Sequence, residues 1–88
     1  MNIDYLRTFL TLAENGSFSE TAKEHIVVQS TVSSRIQELE KELGQSLFIR
    51  NYNHAELTLA GQLFLEYAKN IVELENRAID RIGLVGQF

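Results

Sequence analysis

Cysteine and proline are both missing from this 88-residue chain, and the absences narrow the field. Without cysteine there is neither a disulfide framework nor a thiolate metal site. The two histidines, His25 and His54, stand far apart with no ligand pattern around them, so neither a metal nor a cofactor is expected. No Gly-rich phosphate loop, nucleophile elbow or zinc spacing occurs, and catalysis has no support in the sequence. No apolar run approaches the roughly twenty residues of a membrane span. The start, Met1 to Leu6, carries Asp4 and lacks the basic leader of a signal peptide. A cytoplasmic protein without membrane association, and not an enzyme, is the expectation. The absence of proline leaves nothing to kink a long helix.

Cations are scarce too. Eight Lys and Arg stand against twelve Asp and Glu, for a net charge of −4, and that sum repels a phosphate backbone. The distribution matters more than the sum. From His25 to Gln37 there is no acid at all, and Arg35 lies inside that window. The acids gather elsewhere, at Glu38, Glu40 and Glu42 and from Glu66 to Asp80. The Glu38, Glu40 and Glu42 group reads as a solvated face, since a spacing of two puts neighbours on different sides of a helix.

What is present is helical periodicity with clear punctuation. Ile3, Leu6, Phe9, Leu10 and Ala13 recur at helical spacing, with Asn2 or Asp4 as cap and Gly16 as stop. Ser17 with Glu20 forms a capping-box pattern opening a short second helix, whose inward positions are Phe18 and Ala22, with Ile26 near its end. Only a few residues around Ile26 to Val28 separate it from a third helix, Gln29 to Leu43, so the two must cross steeply as a helix-turn-helix. After Gly44, the stretch from Leu47 to Leu57 reads as strand, asparagine-rich turn and returning strand, a β-hairpin. Thr58 then caps a long helix to about Ile82, roughly 36 Å at 1.5 Å per residue. Glu73 with Arg77 and Lys69 with Glu73 are expected i,i+4 pairs on it.

The third helix carries two opposed stripes. Val32, Ile36, Leu39 and Leu43 can face a core, while Ser30, Ser33, Ser34 and Gln37 face away. Short hydroxyl and amide side chains at the front of a helix can approach base edges and phosphates in a DNA groove. Gln29 is assigned to a base edge, since its amide can pair bidentately with adenine. Ser30 and Ser34 are placed nearest the groove floor or wall, and Thr31 and Ser33 at phosphate. Arg35 lies on the flank, either bridging Glu38 or Glu42 or meeting DNA. In the hairpin, Arg50, Asn51, Asn53 and His54 are the candidate contacts. On the long helix, Phe64, Tyr67, Ile71, Leu74 and Ala78 form a seam of about two heptads. Its first turns can pack on the domain itself, but its distal half overshoots and calls for a partner, most economically a second copy. His25 reads as a partly buried helix-end histidine.

In this order the elements resemble the N-terminal DNA-binding region of the LysR-type transcriptional regulators. The matching residues include Gly16-Ser17-Phe18, then Gln29 and Ser33, then Leu47, Phe48 and Arg50, then Leu57, Thr58, Ala60 and Gly61. The match covers about residues 1 to 82. The resemblance implies a mainly α fold: a winged helix-turn-helix, three helices plus a β-hairpin wing, followed by a long linker helix that dimerises. The expected division is residues 1–58 for DNA binding, 59–82 for the linker helix and 83–88 toward an effector-binding domain outside this sequence. Implied partners are double-stranded DNA and a second copy; a small-molecule effector is expected only for the full-length protein. Members of the family usually bind a dyad of the form T, eleven bases, A. This chain departs at several positions where members often differ: Ser30 for proline, Ser34 for arginine, Val28 for a capping serine, and Asn53 and Glu56 for wing arginines.

A second reading belongs to another class: a dimerisation or protein-interaction module of the same fold with weak DNA affinity. Its support is the acidic balance, Ser34, Asn53 and Glu56. Salt separates the two, because phosphate binding weakens steeply with salt and an apolar protein interface does not.

Overall fold

The structure, a computed structural model, describes residues 1–52 and 54–86; Asn53, Gln87 and Phe88 lie outside the described residues. Short polar side chains open three of its helices by satisfying free backbone N–H groups. For α1 (Ile3–Asn15), Asn2 Oδ1 accepts from the N–H of Asp4 at 2.8 Å and of Tyr5 at 3.3 Å. For α2 (Phe18–His25), Ser17 Oγ accepts from the Glu20 N–H at 3.1 Å. For α4 (Leu59–Val85), Thr58 Oγ1 accepts from the Gly61 N–H at 3.0 Å. The exception is α3 (Gln29–Leu43), which starts at Val28 with no side-chain cap. Between α3 and α4, β1 (Phe48–Asn51) and β2 (His54–Leu57) pair antiparallel, with Phe48 opposite Leu57 and Asn51 opposite His54.

Phe9 organises the core. It is fully buried, and its ring lies 5.4 Å from that of Phe48 and 5.1 Å from that of Phe64, centroid to centroid. One aromatic each from α1, β1 and α4 therefore meet in tilted or edge-on contact, the arrangement aromatic quadrupoles favour. Around them Leu6 and Leu12 of α1 meet Val32, Ile36 and Leu39 of α3.

Two glycines fix how the hairpin and α4 dock. Gly16 adopts a left-handed conformation at φ 69°, and its carbonyl accepts from the Ala55 N–H at 2.8 Å. A Cβ there would lie 2.8 Å from the His54 ring, so glycine lets the α1–α2 corner touch the hairpin. At Gly61 a Cβ would lie 2.2 Å from the Leu47 carbonyl oxygen. The first turn of α4 thus lies directly on the entry to β1, where Thr58 also donates through Oγ1 to the Ser46 carbonyl at 2.6 Å.

Several expectations need correction. Ile26, read as near-inward, is the left-handed end of α2 at φ 55° and is 90% exposed; the chain turns there too sharply for its side chain to reach the core. The capping box is half made: the Ser17 N–H is taken by Asn15 Oδ1 at 2.8 Å, and Glu20 pairs with Lys23 instead. Glu40 is not merely solvated, because its Oε2 accepts from the Leu47 N–H at 2.7 Å and anchors the start of the hairpin. Lys69 pairs with Glu66 rather than Glu73, whereas Arg77 does pair with Glu73 at 2.9 Å. Finally, α4 runs through Gly83 to Val85; one helical glycine costs about 1 kcal/mol, too little to stop a helix flanked by Ile82 and Leu84.

Candidate nucleic-acid interface

The α2–α3 turn decides which side of α3 is presented. The left-handed Ile26 and the bond from the Val27 N–H to the Ala22 carbonyl at 3.0 Å reverse the chain within three residues. As a result α3 lays Val32, Ile36 and Leu39 on the core. Opposite them, Ser30, Ser34, Gln37 and Lys41 are all exposed at helical spacings of four, three and four, one continuous face. Lys41 was missed in the sequence, although this spacing from Ser34 and Gln37 marks it.

The flanks of α3 face different neighbours. On one side Gln29 and Ser33 line a cleft together with Phe18 and Ser19 of α2 and with Arg50, Tyr52 and His54 of the hairpin. Four predicted contacts, Gln29, Ser33, Arg50 and His54, are therefore brought together, while Phe18, Ser19 and Tyr52 are additions. Phe18 carries the Arg50 guanidinium, whose carbon lies 4.1 Å from the ring centroid. His54 Nε2 lies 3.6 Å from Glu56 Oε1. Asn51 is exposed at the end of β1, and the predicted contact Asn53 lies outside the described residues.

Thr31 and Arg35 occupy the other flank, both half-buried. Arg35 makes neither of the carboxylate bridges considered for it. Its Nη1 donates to Thr8 Oγ1 at 3.1 Å, and the guanidinium carbon lies 5.7 Å from the Tyr5 ring centroid. Glu42 instead meets the N-terminal ammonium at 3.7 Å.

This placement resolves the charge problem. Four of the eight basic side chains, Arg7, Lys23, Lys69 and Arg77, pair with glutamates. Among the described residues Arg35, Lys41, Arg50 and Arg81 have no carboxylate partner, and three of those four border α3. The uncapped start of α3 adds backbone N–H groups that water or a phosphate oxygen can satisfy. A net-negative chain thus keeps three of these four unpaired cations on or beside one polar helix face.

The long helix presents the opposite chemistry. Its first four turns lie on α1 through Phe64, Ala68 and Val72, closed by an ion pair from Arg7 to Glu75. Phe64, placed on the dimerisation seam by sequence, is only 9% exposed because Phe9 lies beneath it. Leu63, 64% exposed, takes its place on a stripe with Tyr67, Ile71, Leu74 and Ala78. Leu43 and Leu47 widen that stripe into an apolar groove. From Asn76 to Gly86 every residue of the helix and its end is exposed.

No described helix is long and apolar enough to cross a membrane, and the described residues hold no cluster of three or more His, Asp or Glu suited to a metal. Residues 3–62 match the family model described as bacterial regulatory helix-turn-helix protein, lysR family. The chain belongs to the LysR family. Among LysR relatives, it is 42% identical over 72 residues to a probable RuBisCO transcriptional regulator of Cyanidioschyzon merolae, covering 82% of this chain and 24% of that one. It is 41% identical over 87 residues to a probable nitrogen assimilation transcriptional activator of Synechocystis, covering 99% of this chain and 28% of that one. The chain thus spans about a quarter of the length of these relatives. A solved structure of the CbnR DNA-binding domain in complex with DNA is 37% identical and superposes with a TM-score of 0.92, covering 98% of this chain and 99% of that one. The mainly helical winged helix-turn-helix with its trailing long helix is the LysR DNA-binding fold.

Proposed function

We propose that this chain binds double-stranded DNA sequence-specifically as a homodimer and regulates transcription. The supporting observation is the face of α3: Ser30, Ser34, Gln37 and Lys41 exposed together, bordered by Arg35 and Arg50 without carboxylate partners. In this reading α3 enters the major groove with Gln29 at a base edge, Ser30, Ser34 and Gln37 toward the groove, and Thr31, Ser33 and Arg35 at its walls. The hairpin lies alongside as the wing and offers Arg50, Asn51, Asn53 and His54 to the backbone or minor groove.

Residues 1–58 act as the reader and residues 59–82 as the linker, pairing with a second copy through Tyr67, Ile71, Leu74 and Ala78, with Leu63 in the place first given to Phe64. Two readers on one duplex raise effective concentration, which offsets the small number of cations. The protein works in the cytoplasm and catalyses no reaction. In a longer protein, residues 83–88 lead toward a domain where a small molecule acts.

The test is selection from a random duplex library at low salt, with a Gln29→Ala, Arg35→Ala double variant beside the wild type. Enrichment of a two-fold symmetric motif by the wild type alone is the expected result. No enrichment from a folded dimer would favour the protein-interaction reading.

A further inference from the structure

We propose that Tyr5 and Phe18 are positioning residues for DNA binding, seating Arg35 and Arg50 so that the two guanidiniums grip the phosphate backbones on either side of α3. This rests on the reading of α3 as the groove-facing helix. The two arginines flank that helix on opposite sides, Arg35 reaching from α3 toward α1 and Arg50 reaching from the wing toward α2. A helix in the major groove has one phosphate backbone along each flank, so each arginine borders one of them.

These two cations differ from the others in how they are seated. Arg7, Lys23, Lys69 and Arg77 are held by carboxylates, which cancel the charge and occupy donors. An aromatic face attracts a guanidinium through its quadrupole and lowers its rotational freedom without taking its in-plane N–H groups. Arg50 over Phe18 keeps its donor edge available. Arg35 donates through Nη1 to Thr8, and a guanidinium has five N–H donors, so a phosphate can still be bound bidentately. Tyr5 belongs to α1 and Phe18 to α2, and both helices pack on α3. The rings therefore tie the two cations to the rigid body of the reader.

The experiment is fluorescence anisotropy with a mixed-sequence duplex across a salt series. Arg35→Gln and Arg50→Gln are each expected to flatten the slope of log affinity against log salt by about 1.8 per dimer, one phosphate per protomer at about 0.9 each. Tyr5→Leu and Phe18→Leu are expected to weaken binding about five- to thirtyfold, from about 0.5–1 kcal/mol per seat in each of two protomers, with thermal melting almost unchanged. Tyr5→Phe and Phe18→Tyr, which keep the ring, are expected to bind like the wild type. Arg35→Lys and Arg50→Lys keep the charge but lose the flat edge, and are expected to weaken binding without changing the slope. Leucine variants that fold and bind with wild-type affinity would overturn the seating, as would lysine variants equal to the wild type. A wild type that shows no salt-dependent binding would overturn the DNA reading beneath it, a distinct result.

Discussion

Helices α3 and α4 are both amphipathic and both laid on the core around Phe9, yet they leave opposite chemistries uncovered. On α3 the outer face is Ser30, Ser34, Gln37 and Lys41, short or flexible polar groups with unpaired cations nearby. On α4 it is Leu63, Tyr67, Ile71 and Leu74, an apolar stripe bordered by an apolar groove. Since the buried sides of both helices are ordinary core, the difference in what they bind must lie in the outer faces. Hydroxyl and amide groups gain by meeting base edges and phosphates, while exposed leucine and isoleucine gain only by leaving water. The proposed division of labour between DNA and a second copy rests on that contrast.

The contrast can be broken from the α4 side with the largest effect. Ile71→Glu combined with Leu74→Glu is expected to yield a folded monomer by light scattering, with DNA affinity reduced about a hundredfold or more as the second reader is lost. A dimer of unchanged mass would place the seam elsewhere. The junction between the two helices is next. Gly61→Ala forces a Cβ onto the Leu47 carbonyl oxygen, which lies 2.2 Å from the built position, and is expected to cost about 3 kcal/mol of stability in urea unfolding. Breaking the α3 side alone needs a charge on its face. Ser34→Glu is expected to weaken duplex binding about tenfold through repulsion of phosphate, while the dimer mass stays unchanged. Smallest is Ile26→Asn in the turn that aims α3. Relief of a left-handed β-branched residue is expected to add about 1 kcal/mol of stability, read from the urea midpoint.

Much of this was legible before the structure, because punctuation and periodicity are local. Asn2, Ser17, Gly16, Gly44 and Thr58 mark helix ends through hydrogen bonds and backbone conformations decided within a few residues. What was illegible depended on contacts distant in sequence. Periodicity places Leu63 and Phe64 about 100° apart, and only the presence of Phe9 under α4 decides which of them is buried. Arg35 turned to Tyr5 and Thr8, more than twenty residues away, where the sequence suggested nearby glutamates. Glu40 found the Leu47 N–H across the Gly44 turn, a partner that helical spacing cannot indicate. The residues of the candidate interface were therefore readable, and the partners that hold Arg35 and Arg50 were not.

The central claim is that α3 and the wing meet DNA while the apolar face of α4 does not. Titrating the isotope-labelled protein with its selected duplex and following backbone amide signals tests it directly. Shifts concentrated at Gln29 to Gln37 and Arg50 to His54, with Leu74 to Val85 unmoved, are the predicted result. Shifts centred on Leu74 to Val85, with α3 unchanged, would contradict it.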